Sequence, residues 1–134
     1  MHLTIEALVK NVDYVTEFVD ELLEKMGCSR KSMTQINIAL DELFSNICNY
    51  AYGDRVGNAT IRLRKLEDKN AVELTLEDEG APFNPLKVEE PDVTLSLAER
   101  GIGGLGIFMV RKTMDDIRYA YENGRNILTI IKSL

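Results

Sequence analysis

The apolar residues of the chain recur with two periods, and the switches between them mark out its elements. At the start, "HLTIEAL" alternates Leu3, Ile5 and Ala7, the period-two pattern of a strand with one buried face. Val12, Val15, Val19, Leu22 and Met26 then fall at helical spacing, with Asn11 placed to cap the helix and Gly27 to end it. A second helical stripe runs through Ile36, Leu40, Leu43, Ile47 and Ala51. It opens at "SMTQ", where Ser32 and Gln35 have the spacing of a capping box, and "YGDRVGN" closes it. "ATIRLRKL" and "AVELTLED" alternate again, as two strands joined by a polar turn near Lys69 and Asn70. Residues 79 to 100 are irregular and contain proline. A third helix is expected from Gly103 to about Met114. "DIRYAYE" and "NILTIIK" follow as a closing hairpin over Asn123 and Gly124.

Helices and strands are segregated rather than strictly alternating. This predicts an α+β fold, a two-layer α/β sandwich whose mostly antiparallel mixed sheet has helices packed on one face. The 134 residues suit one domain, 1–134, and carry no repeat, low-complexity stretch or linker. An irregular stretch longer than 20 residues inside such a domain usually has a job, such as covering a ligand.

Composition narrows the function classes. A net charge of −6 argues against a nucleic-acid surface and suits basic protein partners. No apolar run is long enough to span a membrane, and the strand-like start is unlike a signal peptide. Cys28 and Cys48 form no CxxC pair. Both are expected as reduced thiols in a cytoplasmic protein, with Cys48 packed and Cys28 at a helix end. His2 is the only histidine, which argues against a histidine metal site or a Ser-His-Asp triad.

Three places stand out chemically. "GIGGLG", residues 101 to 106, satisfies G-x-G-x-x-G, but it follows the polar "PDVTLSLAER" rather than a strand and comes late in the chain. That context argues against a dinucleotide fingerprint. No Gly-Lys-Ser/Thr is present, so it is not a P-loop. What remains is a glycine loop feeding a helix N-terminus, which is either an anion site or a tight packing turn. On the second helix, Glu42, Asn46 and Asn49 lie at i, i+4 and i+7 and share a face bordering the core stripe; the bland reading is a solvated face. On the strand "AVELTLEDEG", the inward series Val72, Leu74 and Leu76 continues at period two to Asp78. A carboxylate there needs hydrogen-bond partners. Either it begins a turn, or it accepts from a ligand amino group such as that of adenine.

Taken in order, three motifs resemble the nucleotide site of the GHKL ATPase superfamily. "DELFSNICNYAYGD" resembles its N box, with Glu42 and Asn46 in E-x-x-x-N. "DEGAPFNP" resembles the first glycine box, with Asp78, Gly80, Pro82 and Phe83. "ERGIGGLG" resembles the second. Within the superfamily the chain is most similar to anti-sigma-factor serine kinases of the RsbW type. The resemblance implies a Bergerat-type fold and binding of ATP and Mg²⁺. It implies sequestration of a sigma factor, and phosphorylation of a serine or threonine on a STAS-type antagonist. A homodimer is allowed, since members are often dimeric. The implied roles are Glu42 as general base, Asn46 as Mg²⁺ ligand, Asp78 as acceptor for the adenine amine, and Gly80 beside the ring. Arg100, Gly101, Gly103, Gly104, Leu105 and Gly106 would surround the phosphates, and residues 84 to 100 would form a lid. Two positions depart from the family. "GRN" stands where a Thr pair is common, so Asn126 would take the adenine-side role, and Tyr50 stands where a basic residue or histidine is common. The alternative is a nucleotide-dependent module that binds partners without phosphorylating them.

Overall fold

The computed structural model describes residues 1–87 and 104–134. Five strands form one sheet in the order β1-β2-β3-β5-β4: β1 His2–Glu6, β2 Asn58–Leu66, β3 Ala71–Asp78, β4 Asp116–Glu122 and β5 Arg125–Ser133. Every pairing among the described residues is antiparallel. Three helices, α1 (Val12–Lys25), α2 (Arg30–Asn46) and α3 (Gly104–Thr113), cover one face. The alternation in β3 explains why. Leu74 and Leu76 are buried with Val19, Leu40, Phe44 and Val110, whereas Glu73 and Glu77, on the opposite face, pair with Arg64 and Arg62.

The expected turns form where the backbone requires a left-handed residue. Gly27 (φ 76°) stops α1, with its N–H on Glu24 O and that of Cys28 on Leu23 O. Asn123 and Gly124 (φ 54° and 78°) make the two-residue turn between β4 and β5, and both dihedrals match the twist of a hairpin.

Asn11 is the N-cap residue of α1 as expected, but it makes no side-chain cap bond, and its amide donates back to Glu6 O at 2.9 Å. The expected cap of α2 is corrected. At α2 the cap is Ser29, one turn earlier than Ser32. The extended backbone of Ser29 directs its Oγ to the Ser32 N–H at 3.2 Å. Ser32 is therefore inside the first turn, and buried Gln35 Oε1 has no partner among the described residues. The far end of α2 runs directly into a π-helical turn, Ile47–Ala51.

Candidate functional site

The strand β3 continues through Asp78, which is only 6% exposed, so the inward series ends in a buried carboxylate. Asp78 lies opposite Asn126 on β5. Its Oδ1 accepts from Gly80 N and from Asn126 Nδ2, each at 2.9 Å. Among the described residues no protein donor reaches Oδ2. The side chain lines a pocket with an apolar floor of Ile47, Leu76 and Leu128 and an aromatic rim of Tyr50 and Phe83, whose ring centroids are 6.2 Å apart. An apolar cleft with a few convergent polar groups is the form a small-ligand site takes.

The loop after Asp78 is fixed from two sides. Ala81 N donates to Ala51 O at 3.0 Å, and Gly80 is packed so closely on that carbonyl that a Cβ would collide with it. From the other side Asn126 Nδ2 also donates to Ala81 O at 2.9 Å, while Asn126 Oδ1 accepts from Phe83 N at 3.0 Å and from the Tyr119 hydroxyl. Burial raises the Tyr119 hydroxyl above its ordinary value, opposed by the Phe83 amide, so Tyr119 is a donor at neutral pH.

The polar end of the site is built on α2. Asn46 lines the pocket, and Glu42 lies one turn before it. Burial pushes the Glu42 carboxyl up; a hydrogen bond with Asn46 opposes this, and the charge of Asp41 adds to it. Gly106, in the first turn of α3, faces Glu42 so closely that a Cβ would overlap the carboxylate. The Glu42–Asn46 pair thus meets the N-terminal turn of α3 across the interior, at an end where backbone N–H groups favour anions.

Two expected site residues lie elsewhere. Asn49 is exposed and does not line the pocket; the wider π turn rotates it off the Glu42–Asn46 face and brings Tyr50 to the rim instead. Pro82 is exposed at the apex between Ala81 and Phe83, whose backbones are held by Asn126, and buried Pro85 lines the pocket in its place. Arg100, Gly101 and Gly103 lie outside the described residues, as does most of the expected lid. Gly104 and Leu105 begin α3. Of the lid, residues 84–87 are described; Arg111 Nη2 donates to Leu86 O at 2.7 Å. Both cysteines are free and half-buried, and burial lifts the Cys48 thiol to about 11. Among the described residues no cluster of three or more His, Cys, Asp or Glu could hold a metal, and no helix is long and apolar enough to cross a membrane.

Tyr119 was not expected in the site. The signal was present, because alternation from Ile117 points Tyr119 inward, but its link to Asn126 depends on the β4–β5 register.

The profile of the histidine kinase-like ATPase domain matches residues 5–132. The chain belongs to that family. Histidine kinase-like ATPase domains use ATP, so the family supplies a ligand class for a pocket that ends in a buried carboxylate. Among curated relatives, the serine-protein kinase RsbW of Bacillus mycoides is 31% identical over 108 residues, covering 78% of this chain and 66% of the relative. The RsbW of Listeria monocytogenes is 27% identical over 112 residues, covering 80% and 70%. The chain therefore spans just under two thirds of the Bacillus relative's length. The resemblance to the RsbW type drawn from the three motifs agrees with these relatives. Among solved structures, the RsbU and RsbW domains of Rv1364c from Mycobacterium tuberculosis superpose with a TM-score of 0.67 at 15% identity, covering all of this chain and 32% of that one. The histidine kinase AdeS of Acinetobacter baumannii gives 0.55 at 16%, covering 99% and 67%. These two likenesses bear out the expected ATPase fold.

Proposed function

We propose that residues 1–134 act as one ATP-binding domain in the cytoplasm. It transfers the γ-phosphoryl group of ATP to a serine or threonine of a STAS-type antagonist protein, and it sequesters a sigma factor. The observation that carries the nucleotide reading is Asp78, a buried carboxylate with one oxygen held by the protein and the other without a protein donor among the described residues. An exocyclic amine of adenine would supply a donor there, and the apolar floor and aromatic rim suit the ring. The kinase and partner assignments take their support from the RsbW relatives.

In this reading each part of the chain has a task. Asp78 accepts from the adenine amine, and Gly80 brings the backbone close to the ring. Gly104, Leu105 and Gly106 present N–H groups of the first turn of α3 to the phosphates, and the motif resemblance assigns Gly101 and Gly103 to the same phosphates and Arg100 to the terminal one. Glu42 takes the proton of the attacking hydroxyl as its oxygen bonds to phosphorus and the bond to ADP breaks. Burial raises the carboxyl of Glu42, which makes it a better proton acceptor than an ordinary glutamate. Asn46, a neutral oxygen donor without an acidic cluster around it among the described residues, fits Mg²⁺, which takes most of its ligands from water and phosphate. When bound, Mg²⁺ would neutralise charge on the phosphate oxygens.

Incubation with γ-labelled ATP, Mg²⁺ and a serine-bearing STAS-type antagonist tests the proposal. Label is expected on the antagonist. An antagonist that binds in the presence of ATP and never acquires label would contradict the kinase reading.

A further inference from the structure

We infer that Asn126 and Tyr119 are a positioning pair, which orients Asp78 so that one defined carboxylate oxygen is left for the ligand. The inference rests on the nucleotide reading above and extends it to two residues of the pocket wall beside Asp78.

The orientation of the Asn126 amide follows from partners that allow only one choice. Phe83 N–H can only donate, and it points at Oδ1 at 3.0 Å. The Ala81 carbonyl can only accept, and it faces Nδ2 at 2.9 Å. A flipped amide would set donor against donor and acceptor against acceptor. The Tyr119 hydroxyl adds a second donor to Oδ1. Nδ2 is thereby obliged to donate to Asp78 Oδ1, 2.9 Å away. Together with Gly80 N, this donor occupies Oδ1, and among the described residues no donor reaches Oδ2. Asn126 is 6% exposed, and both hydrogens of its amide are used within the protein. It therefore has no donor to offer a ligand, and its effect on binding passes through Asp78.

The amide at position 126 can only donate to Asp78 Oδ1, whereas an acid in its place would compete with Asp78 for a proton. The titratable and charged groups around Asp78 are Tyr119 on β4, Tyr52 just past the π turn, Glu77 and Glu79 on either side of it in the chain, and Arg55 and Arg125 on the cleft it shares with them. Burial raises both hydroxyls, so neither changes charge between about pH 5.5 and pH 8.

The test is MgATP affinity of N126D relative to the wild type, measured by calorimetry at several pH values. Taking the ratio at each pH cancels the titration of ATP itself. N126D places two carboxylates in contact, so its affinity should be about tenfold or more below the wild type at about pH 8. The deficit should shrink several-fold by about pH 5.5, where the pair shares one proton. N126T, whose hydroxyl can again donate to Asp78, should restore most of the affinity with no such pH dependence. A deficit equal at every pH, or none, would overturn the inference. If N126D does not fold, Y119F decides. Loosening the amide should narrow the preference for ATP over inosine triphosphate, which carries an acceptor where adenine has its amine, and an unchanged preference would overturn the inference. A wild type that binds no ATP would instead refute the underlying nucleotide reading.

Discussion

Gly106 on α3 lies against Glu42 on α2, with no room for a Cβ between the helix backbone and the carboxylate. Only the end of a flexible side chain stands in the way. Gly106→Ala should therefore fold, helped by the better helix propensity of alanine, and should displace Glu42. A misplacement of about 1 Å in a reacting group costs on the order of 10²-fold in rate. The variant should keep a near-normal melting temperature and lose phosphotransfer by at least about tenfold. Wild-type transfer by a folded Gly106→Ala would show that the contact does not set the position of Glu42.

Gly80 makes the opposite kind of contact, because what its missing Cβ would meet is the Ala51 carbonyl, which is backbone. Gly80→Ala must push the loop away from the π turn and strain the Ala81 N to Ala51 O bond. Overpacking of this kind costs about 1–3 kcal/mol. Urea denaturation should show a loss in that range; an unchanged midpoint would mean the loop shifts freely.

Ser29 is the residue that caps α2, so Ser29→Ala should destabilise by about 1 kcal/mol. Ser32→Ala removes no cap bond and should cost less. The reverse ranking in thermal melts would restore the cap one turn later.

Asp78→Asn exchanges an acceptor for a donor on the one side chain that faces the ligand amine. A buried polar group left unmet costs about 1–3 kcal/mol, so ATP affinity should fall about tenfold or more. Calorimetry on the folded variant checks this, and undiminished affinity would remove Asp78 from the site.

Asp78 was legible in the sequence because strand alternation is local: once Val72, Leu74 and Leu76 are inward, the next inward residue follows. Gly27 and the Asn123–Gly124 turn were legible for a similar reason, since a left-handed backbone selects its residues. The misplaced residues depend on information that spacing does not hold. Asn49 left the site because α2 widens into a π turn, which breaks the 3.6-residue repeat used to place it. The cap moved to Ser29 because the Gly27 turn leaves that residue extended ahead of α2, and the box spacing from Ser32 to Gln35 cannot report it. The Gly106–Glu42 contact and the Tyr119–Asn126 link join separate elements, so they exist only once the helices and strands are packed.

Burial raises the Glu42 carboxyl above the ordinary value, with Asn46 opposing and Asp41 reinforcing the shift. The sign for stability is the converse of the usual carboxylate case. With the folded value above the unfolded one, ionised Glu42 opposes folding above the folded value, and the opposition is relieved as pH falls through it. Glu42→Gln should therefore lose no stability at neutral pH. The sign for activity is that protonated Glu42 cannot accept a proton, so the acid limb of the rate profile should lie above the ordinary glutamate value. The most direct measurement sets wild type and Glu42→Gln side by side at neutral pH, with ATP affinity from calorimetry and the initial rate of transfer to the antagonist. The account predicts affinity nearly unchanged and a rate lower by about 10²–10⁴. Transfer by Glu42→Gln at the wild-type rate would contradict it.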